Sequence, residues 1–174
     1  MADSARLDRL LDGRRILVVG AGTRPSDDED PPMGNGRAIA VTAARHGASV
    51  VCADRDEEAA AETVRLIEAL GGSARVLVAD VGSTEGCAAL VAGAGPGLDG
   101  LVVNVGIAFG AGLSGTTADD WDRTFAVNLR AHFLIVSALA PTLEDGSSIV
   151  FVGSVAGLGH GSRLPAYDAS KAGL

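Results

Sequence analysis

A doubly wound α/β fold, with a parallel sheet covered by helices on both faces, is what this 174-residue sequence predicts. Three observations lead there. Short apolar runs alternate with longer stretches of helical period. The apolar runs are continuous Val/Ile/Leu segments, as in strands covered on both faces. Segments of helical length join successive strands, which makes βαβ units.

The first strand is expected at 15–20, where Ile16, Leu17, Val18 and Val19 follow one another. Helix 36–46 and strand 49–53 come next, then helix 56–70 and strand 75–79. Helix 84–92 leads to strand 100–104, the long helix 118–140 leads to strand 147–152, and a last helix opens near Pro165, a residue suited to a first helical turn. One polar, acidic and proline-rich segment, Pro25 to Pro32, breaks the rhythm. It reads as a surface loop inserted at about 24–33, not as a linker. At 174 residues the chain is long enough for one domain with a real core, and no internal repeat is seen, so residues 1–174 are expected to form a single, C-terminally incomplete domain.

Hydrophobic residues make up 47% of the chain but aromatics only 3%, so small aliphatic side chains build the interior. The formal charge is −8, with no block of Lys and Arg, which excludes nucleic acid as an expected partner. No apolar run approaches the roughly 20 residues of a bilayer span, so no membrane partner is expected. The charged stretch from Met1 to Arg15 lacks a signal-peptide core. Cys52 and Cys87 have no metal-like spacing, so no metal site is expected. Cys52 reads as a buried free thiol, consistent with a reducing cytoplasm.

The fourteen Lys and Arg side chains include one lysine, and there is one tyrosine. These two, Tyr167 and Lys171, are four residues apart, on one face of a helix. A neighbouring cation favours the phenolate, which suits a general acid/base. An exposed pair without function fits the spacing too. The first strand ends in Gly20-Ala21-Gly22, and Gly34-Asn35-Gly36 opens the next helix. Such glycines either let a pyrophosphate approach a helix N-terminus or form a bare tight turn. The second strand ends at Asp54, where a carboxylate either accepts from both hydroxyls of an adenosine ribose or caps the following helix. That carboxylate repels a 2′-phosphate, and Arg55 beside it softens the repulsion, so NAD is favoured over NADP.

These motifs resemble the main branch of the short-chain dehydrogenase/reductase family. Gly20, Gly34 and Gly36 match its glycine motif, split by the acidic insertion. Asp80-Val81 matches the pair that meets adenine. Val103-Asn104-Val105-Gly106 matches its Asn-Asn-Ala-Gly stretch with two replacements. Asn128, Ser154, Tyr167 and Lys171 match its catalytic set in order and spacing.

The resemblance implies a Rossmann-type sheet and hydride transfer between NAD and a secondary alcohol or ketone. Cofactor contacts are then expected from Gly20, Gly22, Thr23, Arg24, Gly34, Asn35, Gly36, Asp54, Arg55, Asp80, Val81, Asn104, Gly106, Tyr167 and Lys171. It implies that Tyr167 moves the proton and that Lys171 lowers the phenol pKa and meets the nicotinamide ribose. Ser154 is implied to stabilise alkoxide charge, and Asn128 to hold a water linking Lys171 to solvent. Ile107, Ala108, Phe109 and the segment from Leu158 to Leu164, with His160 and Arg163, are candidates to meet substrate. The insertion is either a flap over the adenosine half or a tolerated loop, with Arg24 or Arg37 nearer the phosphates. Helices 118–140 and from 165 resemble those that pair subunits, implying a homodimer or homotetramer. Family members continue past Leu174, so C-terminal strands are expected beyond this chain, with the fifth strand as an apolar edge. The alternative is an NAD-binding sensor or scaffold that has lost catalysis.

Overall fold

A computed structural model describes residues 9–24, 26–27, 29, 31–159 and 161–174. Its five strands are β1 (Arg15–Val19), β2 (Ser49–Asp54), β3 (Ser73–Val78), β4 (Gly100–Val103) and β5 (Ser148–Phe151). All neighbouring pairs are parallel, in the order β3-β2-β1-β4-β5. The helices are α1 (Asn35–Arg45), α2 (Glu57–Ala69), α3 (Thr84–Ala94), α4 (Ala118–Phe125), α5 (Ala131–Leu139) and α6 (Pro165–Gly173). This is the Rossmann-type doubly wound sheet. Chain order reverses between β3 and β4, so the carboxyl ends of β1 and β4 flank the crevice where such sheets bind ligands.

The strand period of two divides the core. Leu17, Val19, Val51, Ala53, Leu101 and Val103 face α3 and α5, meeting Leu90, Ala131, Ile135 and Leu139. Ile16, Val18, Val50 and Cys52 face α1 and α2, meeting Ala40, Val41, Ala44, Val64 and Ile67. Each fully buried Leu, Ile or Val contributes about 1.5–3 kcal/mol. Cys52 and Cys87 are free and buried, and burial pushes the Cys52 thiol up to about 12.

Three expectations need correction. Full cover on both faces holds for β1, β2 and β4 but not for β3, which keeps exposed side chains, while β5 is the apolar outer strand that the resemblance implied. The long helix is not uniform: a π-helical turn, Ala126–Arg130, separates α4 from α5. It accommodates an extra residue, as π-turns at functional sites often do. The continuous segment Ala118–Thr142 is also long and apolar enough, by length and composition, to cross a bilayer. Here its Ala131, Ile135 and Leu139 face is spent against the sheet. Pro25, Asp28, Asp30 and His160 lie outside the described residues, so part of the flap reading of the insertion and the reading of His160 as a substrate contact fall there.

Candidate active site and cofactor crevice

The exit from β1 is held by three elements. Gly20 turns with φ 81°, a left-handed conformation suited to glycine. The Gly20 and Ala21 N–H groups both donate to the Ala53 carbonyl, at 2.8 and 3.0 Å. Asn104, from the end of β4, donates to the Gly20 carbonyl at 2.8 Å. Gly22 N–H donates to Asp54 Oδ2 at 2.9 Å, and Asp56 N–H to Oδ1 at 3.1 Å. Asp54 is therefore a strut for the turn and not the cap of α2. That cap is Asp56, which accepts from Ala59 N–H at 3.0 Å. A carboxylate has about four lone-pair sites, so Asp54 keeps capacity for ribose hydroxyls. Arg55 beside it is exposed.

Gly34 N–H donates to Thr23 Oγ1 at 3.1 Å. That bond closes the base of the insertion, so the acidic loop leaves and returns without opening the turn. Arg24 reaches across to the Gly106 carbonyl at 3.1 Å. Arg37 turns away instead, onto Thr63 and Ala59 of α2, so of the two arginines only Arg24 stays beside the crevice.

The first turn of α1 differs from those of α2, α3 and α4. Asp56, Ser83 and Thr117 cap the latter with side-chain oxygens, and acidic residues occupy their first turns. α1 has Gly34 at its cap, no capping side chain and no acid. Its N–H groups and positive dipole end are left for an anion. A Cβ at Gly36 would overlap the Gly20 carbonyl oxygen and come within 2.6 Å of Asn104 Nδ2. Glycine there is required by the close approach of helix to strand. These features fit the pyrophosphate and ribose of a dinucleotide. Asp80 lies exposed at the end of β3, its Oδ1 accepting from Gly82 N–H, and Val81 is buried beside it.

Beyond β4 a second cluster forms. Asn128, in the π-turn, is fully buried. Its Oδ1 accepts from Ile107 N–H at 2.8 Å, while Nδ2 donates to the Ile107 carbonyl at 2.9 Å and Ser170 Oγ at 3.0 Å. Both amide hydrogens are thus taken by protein partners. Ser170 in turn donates to the Tyr167 carbonyl at 2.8 Å. Lys171 is 7% exposed, and its Nζ donates to the Val152 carbonyl at 2.8 Å. Burial lowers its pKa. Nζ lies 6.0 Å from the centre of the Tyr167 ring and within 3.6 Å of a Cβ built on Gly106. Asn128, Gly106, Tyr167 and Lys171 therefore converge. Ser154 stands at the start of a 3₁₀ turn, Val155–Gly157, where its Oγ accepts from Ala156 N–H at 3.1 Å. Its hydroxyl hydrogen is left free by that bond, and no hydrogen bond joins it to Tyr167 among the described residues. A cavity of about 250 Å³ opens nearby, lined by Leu113, Arg163, Leu164 and Asp168 among others. Phe109 is covered by the Arg123 guanidinium, 4.8 Å above its ring.

The short chain dehydrogenase family model matches residues 32–174. The chain belongs to this family. It is 34% identical over 165 residues to an uncharacterized oxidoreductase of Thermotoga maritima, covering 93% of this chain and 62% of that protein. It is 34% identical over 173 residues to an L-rhamnose 1-dehydrogenase (NAD(P)(+)) of a Sphingomonas species, covering 95% of this chain and 64% of that one. Among solved structures, a short chain dehydrogenase from Mycobacterium smegmatis superposes with a TM-score of 0.82 at 32% identity, over 95% of this chain and 68% of its own. The Pseudomonas aeruginosa RhlG/NADP complex gives 0.81 at 31% identity, over 94% and 63%. The chain spans about three fifths of the length of the two relatives, at 62% and 64%.

Some residues beside this candidate site escape motif reading. Thr63, Ser170 and His132 are buried polar residues that touch or face the site residues. Ser170 had a signal, since it lies three residues from Tyr167 on the same helix. His132, four residues after Asn128, is buried edge-on to Phe151 at 5.2 Å. Neither ring nitrogen reaches hydrogen-bond geometry with a partner. Burial, then the charge of Lys171, holds its pKa down at about 4, against small opposing effects of the Val127 and Val103 backbones.

Proposed function

We propose that this chain is the cofactor-binding and catalytic part of an NAD(P)-dependent oxidoreductase, acting between a secondary alcohol and its ketone. The observation that carries this reading is the convergence of Tyr167, Lys171, Asn128 and Gly106 beside the uncapped start of α1. The cofactor supplies the hydride acceptor or donor. Tyr167 Oη takes the substrate hydroxyl proton in oxidation and returns it in reduction. The buried Lys171 ammonium spends one hydrogen on Val152, leaving two for a ribose hydroxyl and for the field at the phenol. Ser154 donates its free hydrogen to the substrate oxygen, where alkoxide charge develops. Asn128 fixes the Ile107 backbone at the floor of the site, and its Oδ1, which accepts one bond, keeps a lone pair for a water beside Lys171.

NAD is the preferred cofactor in this reading, because Asp54 stands where a 2′-phosphate would bring a second negative charge. The RhlG relative carries NADP, and the Sphingomonas relative is named for both cofactors, so the preference rests on this carboxylate. Exposed Trp121 and Phe133 on the α4–α5 segment support a homodimer or homotetramer, and the buried free thiols suit a reducing cytoplasm. The test is cofactor reduction, followed by NADH absorbance, across a panel of secondary alcohols. Turnover by the wild type that Tyr167→Phe abolishes supports the reading. Binding of NADH without turnover of any alcohol or ketone would contradict it.

A further inference from the structure

One peptide unit in the glycine turn is gripped from both sides. The Ala21–Gly22 peptide presents its N–H to Asp54 Oδ2 at 2.9 Å. Its carbonyl accepts from Thr63 Oγ1 at 2.8 Å, in a contact buried from solvent. Thr63 sits in the middle of α2 and is fully buried. A mid-helix threonine ordinarily returns its hydroxyl hydrogen to the carbonyl four residues earlier. Here the Ala59 carbonyl lies at 3.2 Å, farther than Ala21, and Arg37 Nη2 already donates to it at 3.3 Å. Arg37 Nε donates to Thr63 Oγ1 at 3.1 Å. A hydroxyl has one hydrogen, so the one on Thr63 is directed to Ala21. The chain of bonds thus runs one way, from the Arg37 guanidinium of α1, through Thr63 of α2, to the carbonyl of the turn. A charged donor at its head polarises each following bond, and burial strengthens both.

We infer that Arg37 and Thr63 are positioning residues that hold the Ala21–Gly22 peptide in the orientation a pyrophosphate requires. The relay rests on the cofactor reading above and adds to it a cause of affinity outside the contact surface. Arg37 is drawn away from the phosphates and acts on them through the backbone. With the carbonyl pinned toward α2, it stays out of the crevice, where its negative end would repel an anion. Without the Thr63 hydroxyl the peptide gains freedom to rotate, and each binding event must order it again. The relay therefore tunes affinity for any ligand that carries the pyrophosphate, and leaves proton transfer at Tyr167 unchanged.

The experiment measures dissociation constants of NADH and ADP-ribose for the full chain and for Thr63→Val, Thr63→Ser and Arg37→Met, with thermal unfolding of each. Thr63→Val keeps the shape and removes the hydroxyl. It is expected to weaken both ligands about tenfold, the scale of one lost buried hydrogen bond. Thr63→Ser restores affinity to within about twofold of wild type, and Arg37→Met weakens both ligands about threefold, as loss of the polarising donor requires. Turnover at saturating cofactor stays within about twofold in all three, since the relay acts on binding alone. Unchanged affinity in Thr63→Val overturns the relay. So does equal weakening in Thr63→Val and Thr63→Ser, which would report packing instead of the hydroxyl. Where Thr63→Val does not fold, unchanged affinity in the half-buried variant Arg37→Met overturns it. Failure of the wild type to bind either ligand would instead remove the cofactor reading on which the relay stands.

Discussion

β2 and β5 both end in the crevice, yet their surroundings differ. Val50, Val51, Cys52 and Ala53 of β2 are at most 2% exposed, and Asp54 at its end is tied to the glycine turn. In β5, Ile149, Val150 and Phe151 are 39%, 50% and 39% exposed. β2 has neighbours on both sides, and β5 is an edge with α6 packed beyond its end through the Lys171–Val152 bond. Order comes from different sources in the two halves of the site. At the cofactor end, side chains from β2, β4 and α2 specify the backbone before any ligand arrives. At the proposed catalytic end, chemistry-bearing residues stand on the turn after β5, on the π-turn and on α6, beside an open flank.

The comparison can be broken at its catalytic end first. Tyr167→Phe should cut turnover about a thousandfold, the scale of a lost general acid/base, while NADH affinity stays near wild type. Steady-state kinetics and a binding titration check it, and equal turnover would remove Tyr167 from the mechanism. Breaking the other end should do the reverse. Gly36→Val forces a side chain into the Gly20 carbonyl and should weaken NADH about a hundredfold, with a loss of about 3 kcal/mol of stability from overpacking. Calorimetric titration and denaturant unfolding read the two effects.

The core contrast predicts that Val51→Ala costs about 2.5 kcal/mol and Val150→Ala under about 0.5 kcal/mol, because only the first leaves a cavity. Urea midpoints with unchanged slope would show this, and equal costs would mean that β5 is covered in solution.

His132 supplies a pH test. Its pKa is held at about 4 in the fold, below the ordinary 6.5. The unfolded chain therefore binds the extra proton between these values, and stability falls as pH drops through that window. Between pH 7.5 and 5 the loss from this group is about 2 kcal/mol. His132→Leu should flatten that part of the profile. A wild-type profile that His132→Leu leaves unchanged would mean the ring is solvated or paired. A change in cofactor preference is expected at Asp54. Asp54→Ser should raise the NADP-to-NAD preference ratio about fivefold, by removing repulsion worth about 1 kcal/mol. An unchanged ratio would leave the carboxylate as a strut alone.

Strand and helix positions were legible because β1, β2 and β4 are unbroken aliphatic runs and each helix keeps its period. The open flank of β5 was legible only through the family resemblance, since Ile149-Val150-Phe151 by itself reads the same whether a neighbour packs on it or not. The π-turn at Ala126–Arg130 hides inside an apolar helical stretch, where one extra residue shifts no recognisable pattern. Within the site, the glycines, Asp54 and the Tyr167–Lys171 spacing are local in sequence and could be seen. The Asn128 clamp on Ile107 and the Thr63 bond to Ala21 join residues 21 and 42 positions apart. Such pairings depend on the packed fold, and a buried threonine in a helix carries no sequence signal of its partner.

On the proposed function, the glycine turn of this chain is prepared in advance for a dinucleotide. A titration of the wild type and of Gly36→Val with NADH, followed by nicotinamide fluorescence, tests it most directly. Saturable binding by the wild type, weakened about a hundredfold by a side chain that closes the approach of α1 to β1, is the predicted result. No binding by the wild type, or equal binding by both, would contradict it.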